Sequence, residues 1–229
     1  MIRQAGGFGG STGGDRCRYG HSVVTSAAEE LGAAAAAKLA RLDGRECRID
    51  PGLTDAEIAR VEAEFGFEFA DDHRAFLAAG LPLSIPFDDP PGVFSTYRAP
   101  WPNWRDGDPD VLRERLNWPV EGLLFDVEHN VYWDNSWGER PAERSQALEI
   151  ARPNLADVPK LVPLYGHRYL PAGRGTYGHL VLSVWQADII CYGADLSDYI
   201  DREFGSPRQT SDDASKSPRA TVEFWRDFV

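Results

Sequence analysis

The chain has 229 residues, 42% of them apolar and 11% aromatic, which is ample for the core of one ordinary domain with tails. Its formal net charge of −12 and pI near 4.8 argue against a general nucleic-acid or anionic-membrane partner, because a sequence-independent grip on phosphate needs clustered Lys and Arg. A basic protein partner suits such a surface better.

Residues 1 to about 22 are rich in Gly, Ser and Thr, with few apolar anchors to repay the entropy of ordering, and read as a mobile arm. Within it, Gly6 to Gly14 lacks both the Gly-x-Gly-x-x-Gly register and a Gly-Lys-Ser/Thr ending, so it does not read as a phosphate loop. Ser26 is positioned to cap a helix through Leu31, Ala35, Leu39 and Leu42 that stops at Gly44; its apolar face is mostly alanine and is expected to bury little. Residues 1–50 are therefore set apart from a main domain over 51–205.

That domain opens on a specific helix start. Leu53-Thr54-Asp55-Ala56-Glu57-Ile58 is a capping box, with Ile58, Val61 and Phe65 on one face and Gly66 as the left-handed stop. A second helix is expected after an Asp71 or Asp72 cap, carrying Ala75, Phe76 and Leu77 and closing at Gly80 and Pro82. Residues 81–106 form a long stretch dense in Pro, Asp and aromatics. Asp108-Pro109 then starts a short helix that should end before Pro119, and another is expected over 141–151.

Short runs of branched and aromatic residues predict strands at 123–125, 131–133, 161–165, 180–184 and 188–192, the last two joined as a hairpin through Trp185, Gln186 and Ala187. Asp195 caps a final helix bearing Leu196, Tyr199, Ile200 and Phe204. Helices first, strands later and one closing helix give an α+β class, with a mixed, largely antiparallel sheet flanked by helices. Residues 206–229 read as a linker followed by a short amphipathic tail, in which Val222, Trp225 and Val229 recur at helical spacing.

The run Leu53-Thr54-x-x-Glu57-Ile58-x-x-Val61-Glu62-x-x-Phe65-Gly66-x-x-Phe69-x-x-Asp72-x-x-Ala75-Phe76-Leu77 resembles the opening of the SUKH superfamily, which includes yeast cell-wall-assembly and killer-toxin-resistance regulators and many bacterial immunity proteins. Later segments are similar in order: Phe125-Asp126-x-Glu128-His129-Asn130, then Leu161 to Tyr169, then Asp188-Ile189-Ile190-x-Tyr192-Gly193 ahead of Leu196-x-x-Tyr199-Ile200. The resemblance covers about residues 52–205. It implies a non-catalytic protein-binding surface, used in many bacterial members to neutralise a toxin, often a nuclease.

The candidate contact residues are Trp101 and Trp104 in the proline-rich stretch, the acidic rim of Asp106, Asp108 and Asp110, and Glu128 with His129. Aromatic residues are enriched at interface hot spots, and clustered carboxylates steer a basic partner. The competing expectation for the two tryptophans is that their loop folds over the sheet and buries both rings. Trp133, Trp137 and Trp185 are expected in the core, as is Cys191 within its apolar strand. Cys17, Cys47 and Cys191 lack paired metal or redox spacing and read as free thiols of a reducing, cytoplasmic compartment. No stretch reaches the length of a membrane span, and the start lacks the pattern of a secretory signal.

The leading expectation is thus an immunity protein that occludes a basic toxin, with no enzyme activity, metal or cofactor. A housekeeping adaptor in cell-wall or envelope regulation is the first alternative. A metal-assisted hydrolase using Asp126, His129 and His167 is the second, with Glu128, Asp134 and His179 as further ligand types, although no recognised metal spacing is present.

Overall fold

The computed structural model describes residues 16–42, 47–85, 101–205 and 222–229, with side chains of the first helix described from Ser26 onward. The Gly6–Gly14 segment, most of the proline-rich stretch and the 206–221 linker lie outside the described residues. Among the described residues, six α-helices and two antiparallel sheets make an α+β fold.

Helix α1 (Arg16–Ala40) is longer than its sequence suggested, and it packs on α3 (Asp71–Ala79) and α6 (Leu196–Phe204). Its small residues are the reason. Gly32 lies so close to α3 that a Cβ there would sit 2.2 Å from the Asp72 carbonyl oxygen, and Ala28, Ala35 and Leu39 are fully buried around it. An alanine face buries little per residue but lets two backbones approach, and α1 thereby joins the same core as the helices that follow it.

Strand β1 (Arg48–Asp50) pairs antiparallel with β2 (Leu81–Leu83), a two-stranded ribbon absent from the sequence reading. Between them, α2 (Asp55–Phe65) starts as expected: Glu57 N–H donates to Thr54 Oγ1, the Glu57 carboxylate accepts from the Thr54 N–H, and the helix closes at Gly66 with φ 66°. In α3 neither aspartate is the cap; Ala70 holds that position without a side-chain bond. Asp71 and Asp72 instead reach across to accept from the N–H groups of Gly175 and Gly178, clasping the loop that precedes β5.

The main departure is α4 (Pro109–His129), one helix of 21 residues where a short helix and a strand over 123–125 were expected. Proline at position 119 removes the N–H that would bond the Arg115 carbonyl. The Tyr169 hydroxyl, buried beneath the helix, donates to that same oxygen at 3.0 Å, so the helix runs on through the proline. Residues 131–133 are likewise not a strand but lead into a 3₁₀ turn at Asn135–Trp137. Helix α5 (Arg144–Ala156) follows, also running past a proline, Pro153.

The larger sheet has the order β3-β4-β5-β6, all antiparallel: β3 (Leu161–Tyr165), β4 (Arg168–Pro171), β5 (Val181–Trp185) and β6 (Asp188–Gly193). Both faces are covered. Val162, Leu164, Leu170 and Val181 join the core under α1, α2, α3 and α6, while Leu161, Tyr169, Leu182, Val184 and Ile189 join a second one under α4 and α5. The chain's last segment docks on this second core, where Trp225 is fully buried and its indole N–H reaches the Pro159 carbonyl at 2.5 Å. No helix among the described residues is long and apolar enough to cross a membrane.

Candidate functional site

Trp101 and Trp104 do not form an exposed face. Each is buried to within 3% of full enclosure, Trp104 against the rings of Phe65, Phe67 and Phe69, and Trp101 against Phe76, Tyr165 and Phe204. The loop folds over the core, which corrects their reading as contact anchors. Polar clamps hold it down: Arg105 donates to Glu57 at 2.5 Å and to the carbonyls of Pro51 and Gly52, and Arg60 donates to the carbonyls of Trp104 and Arg105. The Arg105 guanidinium and the Thr54 N–H together hold the Glu57 carboxyl at about 2, well below its ordinary range.

The acidic trio remains exposed, but two of its members have local work. Asp108 caps α4 by accepting from Asp110 N–H at 2.8 Å, and Asp110 pairs with Arg113 at 3.0 Å. Asp106 is exposed beside them.

Glu128 and His129 lie elsewhere, at the far end of α4, and there the surface changes character. Down one side of this helix Arg115, Trp118, Gly122 and Asp126 meet the two hairpin turns of the sheet. Arg115 donates to the Gly166 carbonyl, Trp118 packs 5.9 Å from Trp185, Gly122 sits against Gln186, and Asp126 accepts the Ala187 N–H at 2.7 Å. The next stripe outward carries Trp118, Phe125 and His129; Phe125 is 45% exposed, with the His129 ring stacked on it at 4.3 Å. Beside that stripe Glu114, Glu121 and Glu128 recur at seven-residue intervals, a spacing that keeps them on one side of the helix.

The sheet completes the patch. Trp185, expected in the core, is 39% exposed at the end of β5, with His167 edge-on at 6.1 Å. The result is an aromatic ridge shared by α4 and the hairpin ends, flanked by a row of glutamates. Trp133 and Trp137 pack half-buried on the second core, and Cys191 lies exposed on β6 rather than enclosed.

The trio proposed for metal chemistry is not assembled. Both oxygens of Asp126 are occupied, by Asn130 Nδ2 at 2.6 Å and by the Ala187 N–H, so its work is to tie α4 to the hairpin. His129 stacks on Phe125, and His167 lies beside Trp185, where partial burial depresses its basicity. Among the described residues no three His, Cys, Asp or Glu side chains are grouped to hold a metal ion.

Two displaced ionisable groups lie side by side in α3. Burial raises the Asp72 carboxyl to about 6 and lowers His73 to about 3. Displaced groups of this kind often mark reactive sites. Here both are sealed from solvent, and Asp72 is already bonded to the N–H groups of His73 and Gly178.

Sequence reasoning missed the ridge for an identifiable reason. The seven-residue recurrences of Trp118 with Phe125, and of Glu114 with Glu121 and Glu128, were visible, but reading Pro119 as a stop cut the helix that aligns them. Comparison with known protein families, characterised proteins and solved structures finds no match for this chain.

Proposed function

We propose that this chain is a non-catalytic binding domain of the immunity type, which captures and occludes a basic protein, most simply a toxin domain. The observation that carries the reading is the aromatic ridge of Trp118, Phe125 and Trp185 beside the glutamate row, in a chain of net charge −12. Half-exposed aromatic rings supply contact area at low entropic cost, and a row of carboxylates speeds encounter with a cationic surface. The sequence resemblance to immunity proteins points the same way. Asp106 and Asp108 join the steering field rather than the contact, and the tryptophans of their loop serve the core.

The test is co-purification of the tagged full-length chain with a basic protein from its native cell, followed by affinity measurement on the pair. A Phe125→Ala/Trp185→Ala variant should weaken binding by about 2 kcal/mol or more while remaining folded. Glu121→Lys with Glu128→Lys should slow association and remove its salt dependence. Undiminished affinity in the double-alanine variant would refute the ridge as the contact face.

A further inference from the structure

The four-stranded sheet has two edges of opposite kind. On β3 the residues from Leu161 to Leu164 are all buried, whereas on β6 Asp188, Ile190 and Cys191 are exposed and, among the described residues, β5 is the only neighbouring strand. The turn between β5 and β6 has two residues, so Trp185 and Asp188 form a hydrogen-bonded pair and the pattern alternates from there. An independent bond fixes the alternation. Val184 N–H donates away from β6, to the His167 carbonyl at 2.9 Å, so its partner Ile189 also turns its backbone groups away from β5. Ile190 then faces β5, and Cys191 presents its N–H and carbonyl to the open edge.

Edge strands are ordinarily protected by Lys, Pro or a bulge. The run Asp188-Ile-Ile-Cys-Tyr-Gly193 has neither Lys nor Pro, and the one irregularity of its pairing lies at its far end, by Val181 and Leu182. Helix α6 and the docked C-terminal segment both contact this strand. The strand, the helix with its Asp195 cap and the segment 222–229 together carry seven carboxylates against two arginines, Arg202 and Arg226. Two further cations reach in: Lys38 pairs with Asp201 and bonds the Ser197 carbonyl, and Arg168 pairs with Glu203 over the Tyr192 ring. Two copies meeting edge to edge would bring these carboxylates together, whereas an extended cationic segment would be matched on both sides.

We propose that the open edge of β6 receives an extended basic segment of the protein partner as a fifth, hydrogen-bonded strand. This rests on the reading of the chain as a binder of a basic protein and adds the mode of capture. Backbone bonds to Cys191 would give affinity, and side chains alternating across the added strand would meet α6 on one face and the C-terminal segment on the other.

The experiment follows amide exchange by NMR in the full-length chain with three eight-residue peptides: alternating Lys-Val, the same composition broken by two prolines, and alternating Glu-Val. The Lys-Val peptide should slow exchange at Cys191 about tenfold or more at saturation, and the other two should not. Ile190→Lys, which leaves the backbone intact, should abolish the protection at Cys191; Cys191→Pro, which removes that outward N–H at an edge position that tolerates proline, should abolish the peptide-induced shift changes at the neighbouring Ile190 and Tyr192 amides. Equal effects from the proline-broken peptide would reduce the interaction to charge alone and overturn the proposal. So would protection without peptide that grows with protein concentration, which would assign the edge to a second copy. If a basic partner is captured at full strength by folded Cys191→Pro, this inference fails while the binding function stands; if none is captured by the wild type, that function itself fails.

Discussion

Two regions of this molecule carry the same chemistry, tryptophan beside carboxylate, and use it in opposite ways. In the 101–110 loop the rings turn inward: Trp104 has three phenylalanine rings within 6 Å, and Arg60 and Arg105 pin the backbone down over it. On the ridge of α4 and the β5–β6 hairpin, Trp185 lies against Trp118 and His167 and stays part-exposed. Composition alone cannot separate the two. What separates them is reach: the loop lies over a cluster of aromatic rings with arginines able to bond its carbonyls, whereas Trp185 stands at the end of β5 beside the rings of Trp118 and His167.

The contrast can be broken by substitution. Trp104→Ala should be the costliest change, destabilising the fold by about 3–5 kcal/mol through cavity formation, read as a lowered denaturation midpoint. A near-neutral result would return this ring to the surface. Tyr169→Phe should cost about 1–2 kcal/mol, because the Arg115 carbonyl opposite Pro119 loses its donor, and the NMR shifts of the α4 backbone around Arg115 should move with it. Glu57→Gln should lower stability near neutral pH and lose its effect in acid. The carboxyl is held near 2 in the fold against an ordinary 4.5, so its contribution is present above pH 4.5 and disappears as pH falls toward 2; the variant's stability should be flatter across that window in pH-dependent denaturation. Phe125→Ala should be the mildest of all, within about 0.5 kcal/mol of wild-type stability, while partner affinity falls. A large stability loss there would make the ridge a second core.

Much of the fold was legible because local rules and tertiary packing agreed. The Thr54–Glu57 box, the Gly66 stop and the Asp195 cap follow from short-range chemistry and stand where the residues placed them, and the last hairpin forms as expected, with Trp185 in β5 rather than in its turn. The errors fall where a distant residue decides. Pro119 ends a helix unless something replaces its missing donor, and that something is a tyrosine 50 positions later. The apolar runs at 123–125 and 131–133 were too short to distinguish strand from helix or loop once α4 had been cut. Strand β4 was not predicted, and it carries a cation, Arg168, buried over the Tyr192 ring at 3.6 Å and bonded to Ser183. At the candidate site Glu128 and His129 had been named, but Phe125 was given to a strand and Trp185 to the core, since apolar residues in apparent strands give no sign of which end of the sheet is left open.

The bond between Tyr169 and the Arg115 carbonyl also constrains how this sequence can change over time. With Pro119 present, losing the phenol strands a carbonyl under the helix; with the phenol present, exchanging Pro119 for an ordinary residue supplies a second donor to an oxygen that has room for two. The permitted route is therefore one-way, proline leaving first and tyrosine afterwards. Descendants of this chain should show tyrosine without proline, or neither, but not proline alone.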